Sequence, residues 1–181
     1  MTTKTKNTHK NEFCYNMKNW PVAKESKPLL KEVVLDAIDA ARNDLENGMG
    51  IDGSYLSEDS VINDFTDKKK IILLNRLEDI INGKPFKGIS SSTDLILEEL
   101  LHNLVSSHVI ITLDMNDGED DEDNYFADYA NRIKKIYLLN TNEKDADKQT
   151  IIDWFSEELW WDLDWQVFQI DTKAYDKKYL S

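Results

Sequence analysis

A chain of 181 residues has room for one domain of ordinary size, and its 40% hydrophobic and 10% aromatic content supplies a core, which excludes global disorder. With 35 acidic against 22 basic residues the formal charge is -13. That balance argues against a nucleic-acid binder, which needs a basic stripe to displace counterions, and against docking on an anionic membrane.

The opening MTTKTKNTHKNE has no apolar stretch and no small-residue cleavage site, so no signal peptide is read there. No uncharged apolar run reaches the roughly 18 residues of a membrane span. The single cysteine, Cys14, has no partner for an internal disulfide. These features predict a cytoplasmic protein. Residues 1–12, with Lys4, Lys6 and Lys10, read as a disordered basic tail. Setting that tail aside leaves a charge of -15 on residues 13–181, read as a single acidic globular domain.

The first helix is predicted over 27–46, with Ser26 as N-cap, Pro28 in the first turn and Gly48 just past the end. Leu30, Val33, Val34, Ala37, Ile38, Ala41 and Leu45 keep the three-and-four spacing of a buried face. A loop rich in glycine follows. Ser57 is a candidate cap for a short helix through Phe65, and a longer helix over 68–82 carries Ile71, Leu74, Leu77, Ile80 and Ile81 before Gly83 and Pro85 stop it.

Ser91, Ser92, Thr93 and Asp94 offer caps for a helix reaching Ser106, with Leu97, Leu100, Leu101, Leu104 and Val105 inward. VIITL at 109–113 is β-branched and continuously apolar, which fits a short buried strand. A further helix through Phe126, Tyr129, Ala130, Ile133, Ile136 and Tyr137 ends near Asn140, and a last one is predicted over 147–163. Residues 166–170 suit a second strand. The predicted fold is mainly α: a single-domain, bundle-like arrangement of about five to six helices, with room for a minor two-stranded β element.

Two anomalies suggest function. In DMNDGEDDEDNYFAD, eight of fifteen residues are acidic: Asp114, Asp117, Glu119, Asp120, Asp121, Glu122, Asp123 and Asp128. The run fails the calcium-loop pattern, since starting at Asp114 puts Gly118 fifth and Tyr125 twelfth. A block of like charge is commonly a solvated loop. The functional alternative is a docking surface for a basic partner.

The other anomaly is Trp154, Trp160, Trp161 and Trp165 within twelve residues. On a regular helical wheel Ile151, Ile152, Phe155, Leu159 and Leu163 form the apolar stripe, flanked by Trp154, Trp161 and Trp165. Trp160 falls across the helix from it, beside Asp153, Glu157 and Asp164. An indole framed by carboxylates suits a Lys or Arg head group, through cation–π attraction and charge-assisted hydrogen bonds. The plainer alternative ends the helix near Trp160 and folds the indole back onto the core.

Catalytic and metal motifs are sparse. Glu99 and His102 have the E-x-x-H spacing of carboxylate-bridged metal sites, but the wheel puts both opposite the leucine stripe, and there is no second copy. His9 and His108 fall in the tail and beyond the helix. G-x-S-x-G, the P-loop and G-x-G-x-x-G do not occur, and there are only six glycines. The reading is therefore of a non-enzyme with no cofactor and no metal.

Two functions fit. One is an acidic binding protein that neutralises a basic protein partner, such as a toxin nuclease, through Asp117, Glu119, Asp120, Asp121, Glu122, Asp123, Asp153, Glu157, Trp160 and Asp164. In composition alone the chain resembles the immunity proteins that bacteria make against their own toxins, which implies a stoichiometric inhibitor; no motif carries residues over. The other is a helical adaptor or regulatory subunit that docks through an aromatic surface.

Overall fold

A computed structural model of the chain describes residues 12–13, 20, 22–49, 60–84, 86–87, 91–116 and 125–159. Its first long element, α1 (Lys27–Glu46), buries all seven residues of the predicted stripe. The predicted cap is corrected: the side chain of Ser26 caps nothing, because a 3-10 turn over Lys24–Ser26 runs straight into the helix. The C-terminus closes as the glycine predicts. Gly48 takes φ +73°, and the amides of Gly48 and Met49 bond back to the carbonyls of Leu45 and Asp44.

Helix α2 (Asp67–Ile81) starts on Thr66, whose hydroxyl accepts from the amide of Lys69 at 3.3 Å. It ends in the same way as α1: Gly83 has φ +73°, and the amides of Gly83 and Lys84 reach the carbonyls of Ile80 and Asp79. Leu73, Leu74, Leu77, Ile80 and Ile81 are buried, so the stripe is rotated slightly from the predicted one and Ile71 sits at its margin. The short helix predicted before it is a 3-10 turn over Val61–Asp64, capped by Ser60; Ser57 lies outside the described residues.

Helix α3 (Ser91–Met115) departs furthest from the elements the sequence predicts. VIITL is its last two turns, not a strand. Val109, Thr112 and Leu113 are buried while Ile111 is 44% exposed, which is helical rather than alternating spacing. The physical reason is position: α3 is the central helix, touching α1, α2 and α4 as well as the chain that follows α4. A helix enclosed on several sides reads as a continuous apolar run, and length alone separates it from a buried strand. It also takes in Ser91 to Asp94, so none of these four precedes it, and it includes His108.

Helix α4 (Tyr125–Thr141) buries Ala130, Ile133, Ile136 and Tyr137. Helix α5 (Lys148–Asp153) is capped by Asp147, whose carboxylate accepts from the amide of Thr150 at 2.8 Å and lies well placed to do so, its pKa held down by that bond. The chain then widens into a π turn over Trp154–Glu158, closed by the amide of Leu159 on the carbonyl of Trp154. Ile151, Ile152, Phe155 and Leu159 are buried and Trp154 is half-buried. The rest of the predicted last helix, and the strand at 166–170, lie outside the described residues.

The only β pairing among the described residues is a two-residue antiparallel match of β1 (Glu12–Phe13) with β2 (Phe86–Lys87), in neither of the places predicted. None of the described helices is long and apolar enough to cross a membrane.

One polar latch fixes the start of α1 to the end of α4. The Oδ1 of Asn140 accepts from the amide of Ala23 at 2.8 Å, and its Nδ2 donates to the Oγ of Ser26 at 3.1 Å and the carbonyl of Ile136 at 2.8 Å. Ser26, fully buried, completes the circuit by donating to the carbonyl of Ala23 at 2.7 Å. Asn140→Ala strands these groups, so urea unfolding is expected to show a loss of about 1–3 kcal/mol. A loss within error would show that water replaces the amide without cost.

Candidate functional site

On one flank of α1, away from its buried stripe, Asp36, Asp39 and Asp44 form the acidic wall of a groove of about 410 Å³. The opposite wall comes from Ile111 of α3 with Phe126 and Tyr129 of α4, and His108 closes the floor. The arrangement follows from the helical period. Residues 36, 39 and 43 project from one side of α1 beside the core stripe, and α3 and α4 pack so that their half-buried edge meets that side.

Among the described residues two arginines reach the acidic wall, fewer than its three carboxylates. Arg132 of α4 lies 3.5 Å from both Glu32 and Asp36. Arg42 is shared between Asp39, at 3.1 Å, and Glu78 of α2. Of the wall's three carboxylates, Asp36 and Asp39 each share their guanidinium with a glutamate outside the lining, and Asp44 has no ion pair among the described residues. Exposed pairs of this kind add little to stability, so their main effect is on the surface potential.

Asp36 responds to this crowding. Burial raises its pKa above the ordinary carboxylate value, with Glu32 and Asp39 adding to the rise and Arg132 opposing it. Because folding raises the pKa, ionised Asp36 opposes folding, and that penalty sets in as pH rises above 3.8. Asp36→Asn should therefore leave the thermal midpoint at neutral pH unchanged or higher. A clear fall in the midpoint would mean that the Arg132 pair outweighs burial.

Beside the groove, at Tyr129 and Asp36 of its lining, stands one example of the chemistry it offers. The Arg132 guanidinium stands 5.1 Å from the centroid of the Tyr129 ring while facing two carboxylates. A cation in this setting gains both ring quadrupole and charge attraction. Tyr129 is itself held edge-on by His108, with centroids 6.3 Å apart.

The structure places the predicted site residues unevenly. Asp117, Glu119, Asp120, Asp121, Glu122, Asp123, Trp160 and Asp164 lie outside the described residues. Asp153 and Glu157 are exposed on α5 and the π turn, Asp153 accepting from Gln149 at 2.7 Å, and neither lines the groove. The wheel that set Trp160 opposite the stripe assumes 3.6 residues per turn through 154–158, and the π turn breaks that assumption. In the sequence the acidic run at 117–123 lies between α3 and α4.

His102 is also corrected. It is half-buried rather than solvent-facing, and its Nε2 donates to the carbonyl of Ser156 in the π turn at 2.8 Å. Glu99 is likewise half-buried. Among the described residues no group of three or more His, Cys, Asp or Glu is placed to hold a metal ion. The groove residues were missed because composition draws attention to the dense run at 117–123. The usable signal was the shared flank of Asp36 and Asp39 on a confidently periodic helix. No protein-family model, no curated protein and no solved structure matches the chain.

Proposed function

We propose that this chain is a stoichiometric binding protein for a basic protein partner, with the α1–α3–α4 groove as the seat of a partner Lys or Arg. The observation that carries the reading is the under-neutralised acidic wall facing Tyr129 and Phe126, on a chain with a formal charge of -13. Long-range attraction would speed encounter, and a desolvated aromatic contact would slow release. In this reading the acidic side chains stand in for phosphates, and the partner is a nuclease-like toxin that the chain inhibits in the cytoplasm without catalysis of its own.

The adaptor reading draws on a different observation: Ile111 at 44% and Met115 at 59% exposure leave apolar surface at the end of α3. Capture from the source cells with washes of rising salt separates the two. The inhibitor reading expects one basic protein, retained one-to-one, released by salt, whose activity the chain suppresses. A neutral partner or larger assembly held at high salt would replace it with the adaptor.

A further inference from the structure

A second groove, of about 650 Å³, lies at the other side of α4 and has the opposite charge. Lys134 and Lys135 of α4 and Lys144 of the loop before α5 line it, and none of the three has an ion pair among the described residues. Lys148 also lines it and pairs with Asp114 of α3 at 2.9 Å. Of the four lysines in the lining, only Lys148 has a carboxylate partner among the described residues.

The groove stands on ordered structure. Asn142 adopts φ +57°, turning the chain off α4, and its amide returns to the carbonyl of Leu138 at 2.9 Å. The Tyr137 hydroxyl donates to Glu143 at 2.7 Å, which ties the one acidic residue of the lining to a neighbouring ring. Leu113 and Ile151, both buried, form an apolar back wall.

We infer that this groove binds a small phosphorylated molecule carrying at least two negative charges. Ammonium groups act as separate point charges, which suits the spread oxygens of a diphosphate better than a single planar carboxylate. The volume is that of small-molecule sites, roughly 300–1,000 Å³, and the apolar wall offers a place for the uncharged part of the ligand. This site is independent of the acidic groove and stands whether or not the inhibitor reading does.

The test is calorimetric titration of the full chain with inorganic pyrophosphate and, separately, with ADP, at low and at physiological salt. One-to-one binding is expected, weakened roughly tenfold or more in Lys134→Ala/Lys135→Ala/Lys144→Ala and weakened by salt. A matched loss of three charges on α2, Lys68→Ala/Lys69→Ala/Lys70→Ala, should leave it unchanged. Tighter binding of ADP assigns the extra affinity to the apolar wall, whereas equal binding assigns recognition to the phosphates alone. No heat with either ligand at millimolar concentration, or an equal loss in the α2 variant, would overturn the proposal.

Discussion

Acidification from about pH 6.5 to about pH 4 should cost the native chain about 3 kcal/mol more than it costs a His108→Leu variant. His108 lies inside α3 at the floor of the acidic groove, and its Nε2 is buried with no hydrogen-bond partner among the described residues. Burial alone pushes its pKa down from 6.5 to about 4. Between those values the unfolded chain binds the proton and the folded chain does not. The stability that neutral His108 permits is therefore complete above about pH 6.5 and is lost as pH falls toward about 4.

Asp36, with its raised pKa, works in the other direction, which is why the comparison is between two proteins rather than two pH values. Asp39 and Asp44 line the same groove, Arg132 stands by the Tyr129 ring beside it, and all three stay common to both. Denaturant titrations at several pH values give the two profiles. Parallel profiles would show that the imidazole is charged or solvated in the folded state.

Phe155→Ala should cost about 3–5 kcal/mol, the range for removing a buried phenyl ring without collapse of the site. Phe155 is fully buried in the π turn, with its ring edge-to-face with Trp154 at a centroid distance of 4.9 Å. Trp154 in turn meets Tyr137 of α4 edge-on at 5.7 Å, so the turn is the joint between α5 and α4. The bond from His102 to Ser156 fastens the same turn to α3. Thermal or urea unfolding measures the loss, and Trp154→Ala, at a half-buried ring, is expected to cost less. A change under about 1 kcal/mol for Phe155→Ala would show that neighbouring side chains fill the space.

The helices whose stripes were easiest to read, α1 and α4, each pack one face inward, and for them spacing was sufficient. Where a helix is enclosed, as α3 is at 109–113, periodicity fades and the residues look like a strand. The π turn is invisible to any wheel of fixed period, so the predicted placement of Trp160 rested on geometry that stops at residue 154. The helix-ending glycines, Gly48 and Gly83, were legible because a left-handed φ leaves few alternatives. The acidic groove was only half legible. The flank of α1 could be drawn from the sequence, but the approach of Tyr129, Phe126 and Ile111 to it depends on how three helices pack.

If the α1 carboxylates hold a basic partner, Asp36→Lys/Asp39→Lys/Asp44→Lys should be far more damaging than reversal of Asp120, Asp121, Glu122 and Asp123 to Lys in partner-capture and affinity measurements, with thermal midpoints matched to the native chain. The groove reversal is expected to weaken partner binding roughly hundredfold or more, since a bound cation would then face cations in a partly desolvated site. Native affinity in a groove-reversed chain that keeps its midpoint would contradict the assignment.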